Sequence, residues 1–323
     1  ATQSFGGALI SAFFALPEAP GLAGEALPDD VQVIEDYFED IATPEPEGTA
    51  EPEPEEKYEP GELFYQRGEI ILQEGIDNST PLPSDGIIMQ NTSGLEIDIE
   101  RLMSEPLEIV LAEEGPQVLV IHTHGSEAYT QVPGEEYEES DPYRTQNKSR
   151  SIISVGDVLA EELSARGISV IHDRGTYDYP SYADSYNRTL AAIQGYLEKY
   201  PSISLVIDIH RDASPATGDQ FKTIAEIDGS LCSQIKLVVG TNGAGLTHPN
   251  WEQNMKLALR LQYEMNRSYP TLARPVGASE YRYNQHATAG SLLVEVGAAG
   301  NTFSESVDAV RYFADAYANV ILG

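Results

Sequence analysis

The sequence predicts an α/β fold with an open, mostly parallel sheet and helices on both faces. From residue 117 onward, short apolar runs alternate with longer segments whose apolar residues have helical spacing. Short links join these segments, which is typical of α/β domains. At 323 residues and 41% hydrophobic, the chain is long enough to bury a sizeable core. No internal repeat interrupts this pattern.

The predicted elements follow in chain order. Residues 84–116 are expected to form a strand and a short helix that lead into the main domain. In the first long helix, the apolar spacing predicts one buried stripe of Ile152, Val155, Val158, Leu159 and Leu163. The predicted strands are 117–122, 168–173, 203–210, 222–228, 235–240 and 291–297, and the predicted helices are 149–167, 179–201, 250–270 and 304–322.

The domain organisation follows from composition. Residues 1–28 are expected to be an N-terminal segment that is processed or trimmed, with any anchor upstream of Ala1. Residues 29–62 are dense in Asp, Glu and Pro, so we expect a disordered acidic linker that cannot bury enough apolar surface to fold. Residues 63–116 are expected to pack on the catalytic domain, which takes up 117–323.

Charge and composition exclude several classes of function. The formal net charge of −33 argues against nucleic-acid binding, because phosphates would be repelled. No apolar run reaches the roughly 18 residues that a membrane helix needs, so we expect a soluble chain. Cys232 is alone, which excludes an intramolecular disulfide, and we expect it to be a small buried residue and not a nucleophile. Phosphate-loop, nucleophile-elbow and dinucleotide motifs are missing, so the glycines of 241–248 are expected to form a loop.

Polar side chains lie at the ends of three apolar strands. His122 and His124 follow the first strand, Asp208 and His210 end another, and Glu295 lies near the end of a third. In open α/β sheets, ligands bind beyond the carboxyl ends of the strands. Alternation along a strand predicts that His122 and His124 point the same way, as do Asp208 and His210.

These residues predict a zinc site. His124 and Glu127 form an H-x-x-E pair, and His210 can supply a third ligand from a neighbouring strand. Two imidazoles and a carboxylate are a catalytic zinc set with one position open for water. Glu295 is then expected to be the general base that takes a proton from the water.

Alternatives remain open for several of these residues. Glu127 could instead cap a helix or face solvent, and His122 could replace His124 as a ligand or support the site from outside it. Asp208 could orient a ligand, replace one or merely face the helix layer. The remaining histidines, His172, His248 and His286, are expected to be ordinary hydrogen-bonded residues. Candidate contacts to substrate are Arg211, Arg282, Asn284 and Gln285.

Several motifs together resemble the stage II sporulation protein P family of endospore-forming bacteria. They are "GPQVLVIHTHGSEAYT", "YPSISLVIDIHRDA" and "RYNQHATAGSLLVEVGAAGNT", within a similarity that runs from about residue 86 to the C-terminus. The resemblance implies a zinc-dependent N-acetylmuramoyl-L-alanine amidase of peptidoglycan, also credited with cutting peptide cross-links. It implies that His124, His210 and Glu295 match the two amidase histidines and the catalytic glutamate.

The resemblance also implies a cellular setting. The family acts outside the cytoplasmic membrane during septal thinning and engulfment, tethered by an N-terminal helix. Its partners are the stage II sporulation proteins D and M.

One departure from the wider amidase superfamily affects the third ligand. Those enzymes take a glutamate from the start of the first helix, where this chain has "QNKSRSI" and no acid. The third ligand is therefore Glu127 or another group, with His122 and His172 as candidates.

Two other readings of the motifs stay open. A zinc carboxypeptidase would use the same order of ligands and would need a cation, such as Arg211 or Arg282, for the substrate's terminal carboxylate. A wall-binding scaffold without catalysis is the third reading.

Overall fold

The computed structural model of the protein describes residues 71–72, 87–213 and 220–323. The predicted segments 1–28 and 29–62 and most of residues 63–86 lie outside these ranges. The strands are β1 Ile71–Leu72, β2 Met89–Asn91, β3 Val118–Ile121, β4 Val170–His172, β5 Leu205–Asp212, β6 Phe221–Lys222, β7 Ala225–Ile227, β8 Ser230–Cys232, β9 Ile235–Gly240, β10 Val276–Ser279 and β11 Gly290–Ala298. The helices are α1 Ile99–Ser104, α2 Ile152–Ala165, α3 Ser185–Lys199, α4 Trp251–Ser268 and α5 Phe303–Leu322.

The main sheet has the strand order β2-β10-β9-β11-β5-β3-β4. Neighbouring strands are parallel except β9 and β11, which are antiparallel. The predicted fold class, a mostly parallel α/β sheet, is therefore confirmed. The antiparallel pair divides the sheet into two parallel halves, so the carboxyl ends of β3, β5 and β11 lie at one edge and that of β9 at the other.

Most of the predicted elements are present, with three differences. The predicted strand 222–228 is two short strands, of which β7 pairs with β8 in a separate hairpin. The predicted helix 179–201 begins only at Ser185, so the preceding residues form a loop beside the site. Strand β10 was not predicted, since its run Val276–Ser279 is short and contains the small residues Gly277 and Ala278.

Helices cover the two faces of the sheet unequally. Val118 and Val120 of β3 face the core cluster that contains Val155 and Leu159 of α2. Helix α5 packs against both α2 and α4, so these three helices form one layer. The opposite face buries a smaller cluster of Leu119, Ile121 and Val206 with Ile193 of α3, the helix on that side.

Local sequence explains where the helices begin. The Ser151 side chain accepts a hydrogen bond from Ile153 N at the start of α2, and Thr302 and Glu305 form a reciprocal capping box at the start of α5. Cys232 is buried at the end of β8, as predicted, and burial raises the pKa of its thiol to about 12. Within the described residues, no helix combines the length and the apolar character needed to cross a membrane.

Candidate functional site

Strands β5 and β11 place three polar side chains on the face of the sheet that α3 partly covers. Glu295 of β11 is the register partner of His210 in the parallel strand β5. Asp208 is the partner of Ile121, which packs against α3. Register partners share a face, so Asp208, His210 and Glu295 all lie on the α3 side. The strand ends that the sequence singled out therefore do meet at one edge.

A tight turn after β3 brings His124 and Glu127 to the same place. Glu127 N donates to His124 O at 3.0 Å, which closes the turn. The ring centroids of His124 and His210 are 5.1 Å apart, and Glu127 Oε2 lies 3.5 Å from His210 Nδ1. All three side chains are buried. The structure thus brings together the two histidines and the glutamate of the predicted metal set.

The surroundings of Glu127 keep it ionised although it is buried. Arg144 Nη2 lies 3.6 Å from its carboxylate and Arg211 Nη1 lies 3.8 Å away. Burial opposes ionisation, but Arg211, His210 and Arg144 together hold the pKa of Glu127 below its ordinary value. The carboxylate is therefore available as an anionic ligand at neutral pH. Glu127 is buried inside the site, so the alternative that it faces solvent is wrong.

His210 lies between two carboxylates. Asp208 Oδ1 is 3.0 Å from His210 Nε2, although the direction is not that of a hydrogen bond. Burial lowers the pKa of His210, but Asp208 and Glu127 outweigh it and raise that pKa well above its ordinary value. His124 has no such excess of anions, so burial lowers its pKa and keeps its imidazole neutral. The two carboxylates therefore favour a positive charge on the His210 imidazole itself.

Asp208 links the site to the end of β3. Its two carboxylate oxygens accept hydrogen bonds from Thr123 N at 2.8 Å and Thr123 Oγ1 at 2.6 Å. Asp208 therefore fixes the turn that carries His124 and contacts His210 at the same time. Its position agrees with the expectation that it orients a ligand.

The expectation that His122 points the same way as His124 is wrong. Since Ile121 faces α3, the next residue faces the α2 layer, and the turn that starts at Thr123 ends the alternation. His122 Nδ1 lies 3.1 Å from Ile209 O, and its Nε2 lies 2.8 Å from Nε2 of His172. His172 Nδ1 in turn contacts Asp157 Oδ1 at 3.0 Å. The imidazoles of His122 and His172 therefore contact each other on the α2 side of the sheet, opposite the site.

Glu295 is buried with one oxygen unsatisfied. Its Oε2 has no hydrogen-bond partner in the described part of the chain. Burial, assisted by the charge of Asp212, raises the pKa of Glu295 to about 8. On its other side, Lys236 of β9 is its register partner, and Lys236 Nζ lies 3.4 Å from Asp212 Oδ2. A carboxyl group with a raised pKa can both accept and release a proton near neutral pH.

The sequence analysis missed the residues that surround His124. The Tyr182 ring stacks on the imidazole at 4.4 Å between centroids, and its hydroxyl is 2.5 Å from His124 Nε2. The guanidinium of Arg144 lies over the Tyr182 ring, with its Cζ 5.0 Å from the ring centre. Arg144 Nη1 also lies 2.8 Å from Asp178 Oδ2. Tyr182 and Arg144 belong to loops without periodicity, so no pattern in the sequence could place them.

The four candidate substrate contacts are used within the protein. Arg211 is buried and donates to Ala128 O and Tyr143 O. Gln285 is 2% exposed, accepts from Gly240 N and donates to Val238 O, so the expectation that it binds substrate is wrong. Asn284 donates to Tyr186 O at 2.7 Å, and Arg282 donates to Thr247 O at 3.0 Å.

The donor types at this site fit a zinc ion, although their arrangement is not that of a closed metal centre. In the ranges that the structure describes, no group of three or more His, Cys, Asp or Glu side chains takes up the geometry of a metal site. The chemistry nevertheless fits: His124, Glu127 and His210 offer two nitrogens and one carboxylate at contact distance. The unsatisfied Glu295 oxygen also indicates room for a polar ligand or water.

Comparison with known proteins identifies one family. The family model described as "Stage II sporulation protein P (SpoIIP)" matches residues 38–318. A curated stage II sporulation protein P from Bacillus subtilis (strain 168) is 27% identical over 214 residues, which is 63% of this chain and 50% of that relative. The chain thus aligns with only about half the length of this relative.

Solved structures with some similarity are N-acetylmuramoyl-L-alanine amidases. AmiC2 of Nostoc punctiforme has 13% identity and a TM-score of 0.37, covering 64% of this chain and 96% of that one. The amidase from Clostridium difficile 630 has 15% identity and a TM-score of 0.38, covering 65% and 96%. With TM-scores this low, neither structure assigns an activity to this chain.

Proposed function

The chain belongs to the stage II sporulation protein P family, and on that premise we propose that it is a zinc-dependent peptidoglycan hydrolase. Its substrate is the amide between N-acetylmuramic acid and the L-alanine of the stem peptide. The observation that carries the proposal is the meeting of His124, Glu127 and His210 beside Glu295, the register partner of His210. The turn after β3 and strand β5 supply the proposed ligands, and strand β11 supplies the proposed base.

His124, Glu127 and His210 would hold the zinc ion. When bound, zinc polarises the scissile carbonyl and lowers the pKa of water from about 16 to about 7. The neutral His124 and the ionised Glu127 are in the protonation states that metal ligands need, whereas His210, whose pKa is raised, would have to release a proton when zinc binds. Asp208 orients His210 and holds the turn before His124, a supporting role typical of carboxylates behind metal-bound histidines.

Glu295 is the proposed general base. It takes a proton from the attacking water and passes it to the departing nitrogen of L-alanine, which leaves as an amine. Burial gives Glu295 the raised pKa that suits both steps. The neighbouring cations Lys236 and Arg274 are held by Asp212, so Glu295 is not locked into an ion pair of its own.

One of the two candidate cations for a carboxypeptidase is already used within the protein. Such an enzyme needs a cation that can bind the substrate's terminal carboxylate. Arg211, one of the two candidates, is buried and donates to two backbone carbonyls. We therefore prefer an internal amide as the scissile bond, and cutting of peptide cross-links is part of the proposal as a secondary activity.

The proposed partners and location come from the family. We propose that the protein works outside the cytoplasmic membrane at the sporulation septum during engulfment. Stage II sporulation proteins D and M are the proposed partners, and a membrane anchor in the longer protein is proposed to tether the enzyme.

Replacing Glu295 with Gln tests the catalytic assignment. Glu295→Gln keeps the size of the side chain and removes the base, so we expect bound zinc near one equivalent and hydrolysis reduced by at least a hundredfold. His210→Ala removes a ligand, and we expect zinc itself to be lost. Metal analysis and wall-digestion rates on the same samples check both variants.

A folded control separates these outcomes from misfolding. Glu127→Gln keeps the volume of another ligand and should also lose zinc while circular dichroism stays unchanged. Normal turnover by Glu295→Gln, or one equivalent of zinc in folded His210→Ala, would contradict the proposed roles.

A further inference from the structure

A line of aromatic side chains extends away from His124. The Tyr186 ring of α3 is 5.5 Å from the His124 ring and perpendicular to it. Tyr283 follows at 6.0 Å from Tyr186, and Tyr281 lies 6.4 Å from Tyr283. Tyr186 and Tyr283 are partly exposed, and neither belongs to a hydrophobic core cluster of the described residues. Both rings are therefore partly accessible, lie next to the His124 side of the site and are not part of the core.

The backbone of Tyr283 is held in an unfavourable conformation. Its φ is 44°, and that of Asn284 is 59°, so two successive non-glycine residues are left-handed. For a bulky aromatic residue, such a conformation costs about 1–3 kcal/mol and persists only where neighbouring contacts impose it. Strain of this kind is concentrated at ligand-binding segments.

Four contacts, made by three side chains of the loop and of β10, impose this conformation. Asn284 Nδ2 donates to Tyr186 O at 2.7 Å, which ties the loop to α3. The Gln285 side chain makes two hydrogen bonds to β9: its Oε1 accepts from Gly240 N, and its Nε2 donates to Val238 O. Ser279 Oγ lies 3.2 Å from the Tyr283 hydroxyl. The result of these contacts is a fixed position of the Tyr283 ring beside Tyr186.

Two neighbouring, partly exposed tyrosine rings suit a sugar ring. A pyranose ring has an apolar C–H face that packs on aromatic rings, and its hydroxyls pair with tyrosine hydroxyls.

We propose that Tyr186 and Tyr283 form a saccharide subsite that binds the N-acetylmuramic acid ring of the substrate. The inference rests on the proposed function and places the sugar side of the scissile amide against these two tyrosine rings. Asn284 and Gln285, which the sequence suggested as substrate contacts, act as positioning residues that fix Tyr283. Sugar recognition by Tyr186 and Tyr283 favours an amidase over a peptidase, because a peptide cross-link has no pyranose ring beside its scissile bond.

Binding to matched ligands tests the subsite. In the Glu295→Gln background, which prevents turnover, calorimetry compares a disaccharide muropeptide with the same stem peptide without its sugars. Tyr283→Ala and, independently, Tyr186→Leu should weaken muropeptide binding at least tenfold and leave the weak binding of the free peptide within twofold. Tyr283→Phe, which keeps the ring, should lose no more than threefold.

Two controls make the result decisive. Tyr263→Ala removes an exposed tyrosine of α4 and should change neither affinity. Zinc content and circular dichroism show that each variant is folded, and Tyr186→Leu lies on a different element in case Tyr283→Ala does not fold. Unchanged muropeptide affinity in a folded variant, or an equal loss for both ligands, would overturn the subsite.

Failure of the subsite and failure of the proposed function are distinguishable. If wild-type protein cuts the muramoyl amide while the tyrosine variants bind the muropeptide normally, only the subsite is wrong. If wild-type protein leaves that amide intact, the proposed function is wrong.

Discussion

Gly156 of α2 makes room for the pair formed by His122 and His172. A Cβ atom at this position would lie 2.5 Å from His122 Nε2 and 2.8 Å from His172 Nε2. Glycine in a helix interior normally costs about 0.5–1 kcal/mol relative to alanine. Glycine is needed here because α2 packs closely on the two imidazoles that follow β3 and end β4. His122 also contacts the carbonyl of Ile209, which precedes His210.

Replacing Gly156 with alanine should therefore destabilise the protein. We expect Gly156→Ala to lower the free energy of unfolding by roughly 1–3 kcal/mol, the usual range for overpacking a filled interior. The matched control is Gly195→Ala in α3, where a Cβ would meet nothing within 4 Å. That variant should be stabilised by about 0.5–1 kcal/mol.

Denaturant unfolding of both variants measures the difference. Equal effects of the two substitutions would contradict the packing of the histidine pair against α2.

The sequence carried enough information to find part of this site. His124, His210 and Glu295 could be predicted because each follows or ends a recognisable apolar strand, and parallel strands share an edge. His122 was placed on the wrong face because a turn interrupts the strand period directly after Ile121. Tyr182 and Tyr283 could not be predicted, since loop conformation depends on distant contacts such as that of Asn284 with Tyr186.

At the scale of elements, α5 is fixed at its start by contacts from separate parts of the chain. Thr302 Oγ1 accepts from Glu305 N, and Glu305 Oε2 accepts from Thr302 N. Glu135, from the long segment after β3, accepts from Phe303 N at 2.9 Å. Because α5 packs against α2, α4 and β11, the cap also supports the strand that carries Glu295.

Removing the cap should weaken the fold without altering the site. We expect Thr302→Ala to lower the free energy of unfolding by about 1 kcal/mol, the usual cost of losing such a cap. Zinc content and turnover should stay unchanged, because no ligand or base touches Thr302. Thermal unfolding alongside Ser164→Ala, a change at an exposed position of α2, provides the comparison.

A loss well below half a kcal/mol for Thr302→Ala would mean that Glu135 alone is sufficient to hold the start of α5.

The orientation of β9 shows a limit of prediction at this scale. Its apolar run predicts a strand but not a direction, and in the structure β9 pairs antiparallel with β11 and parallel with the unpredicted β10. That orientation places Lys236 beside Glu295. The sequence alone therefore predicts the base but not its cationic neighbour.

At the scale of the whole molecule, the fold and the family are the two findings on which the proposals are built. The predicted α/β class is confirmed, and the family model matches residues 38–318. The zinc ion, the scissile bond and the partners are proposals that build on this framework.

Mass spectrometry of the muropeptides released from purified cell wall tests the central claim most directly. The proposed activity predicts muramic acid residues without peptide, together with intact stem peptides that begin with a free L-alanine. It also predicts that both products disappear in Glu295→Gln. Shortened stem peptides, with L-alanine still attached to every muramic acid, would contradict the account.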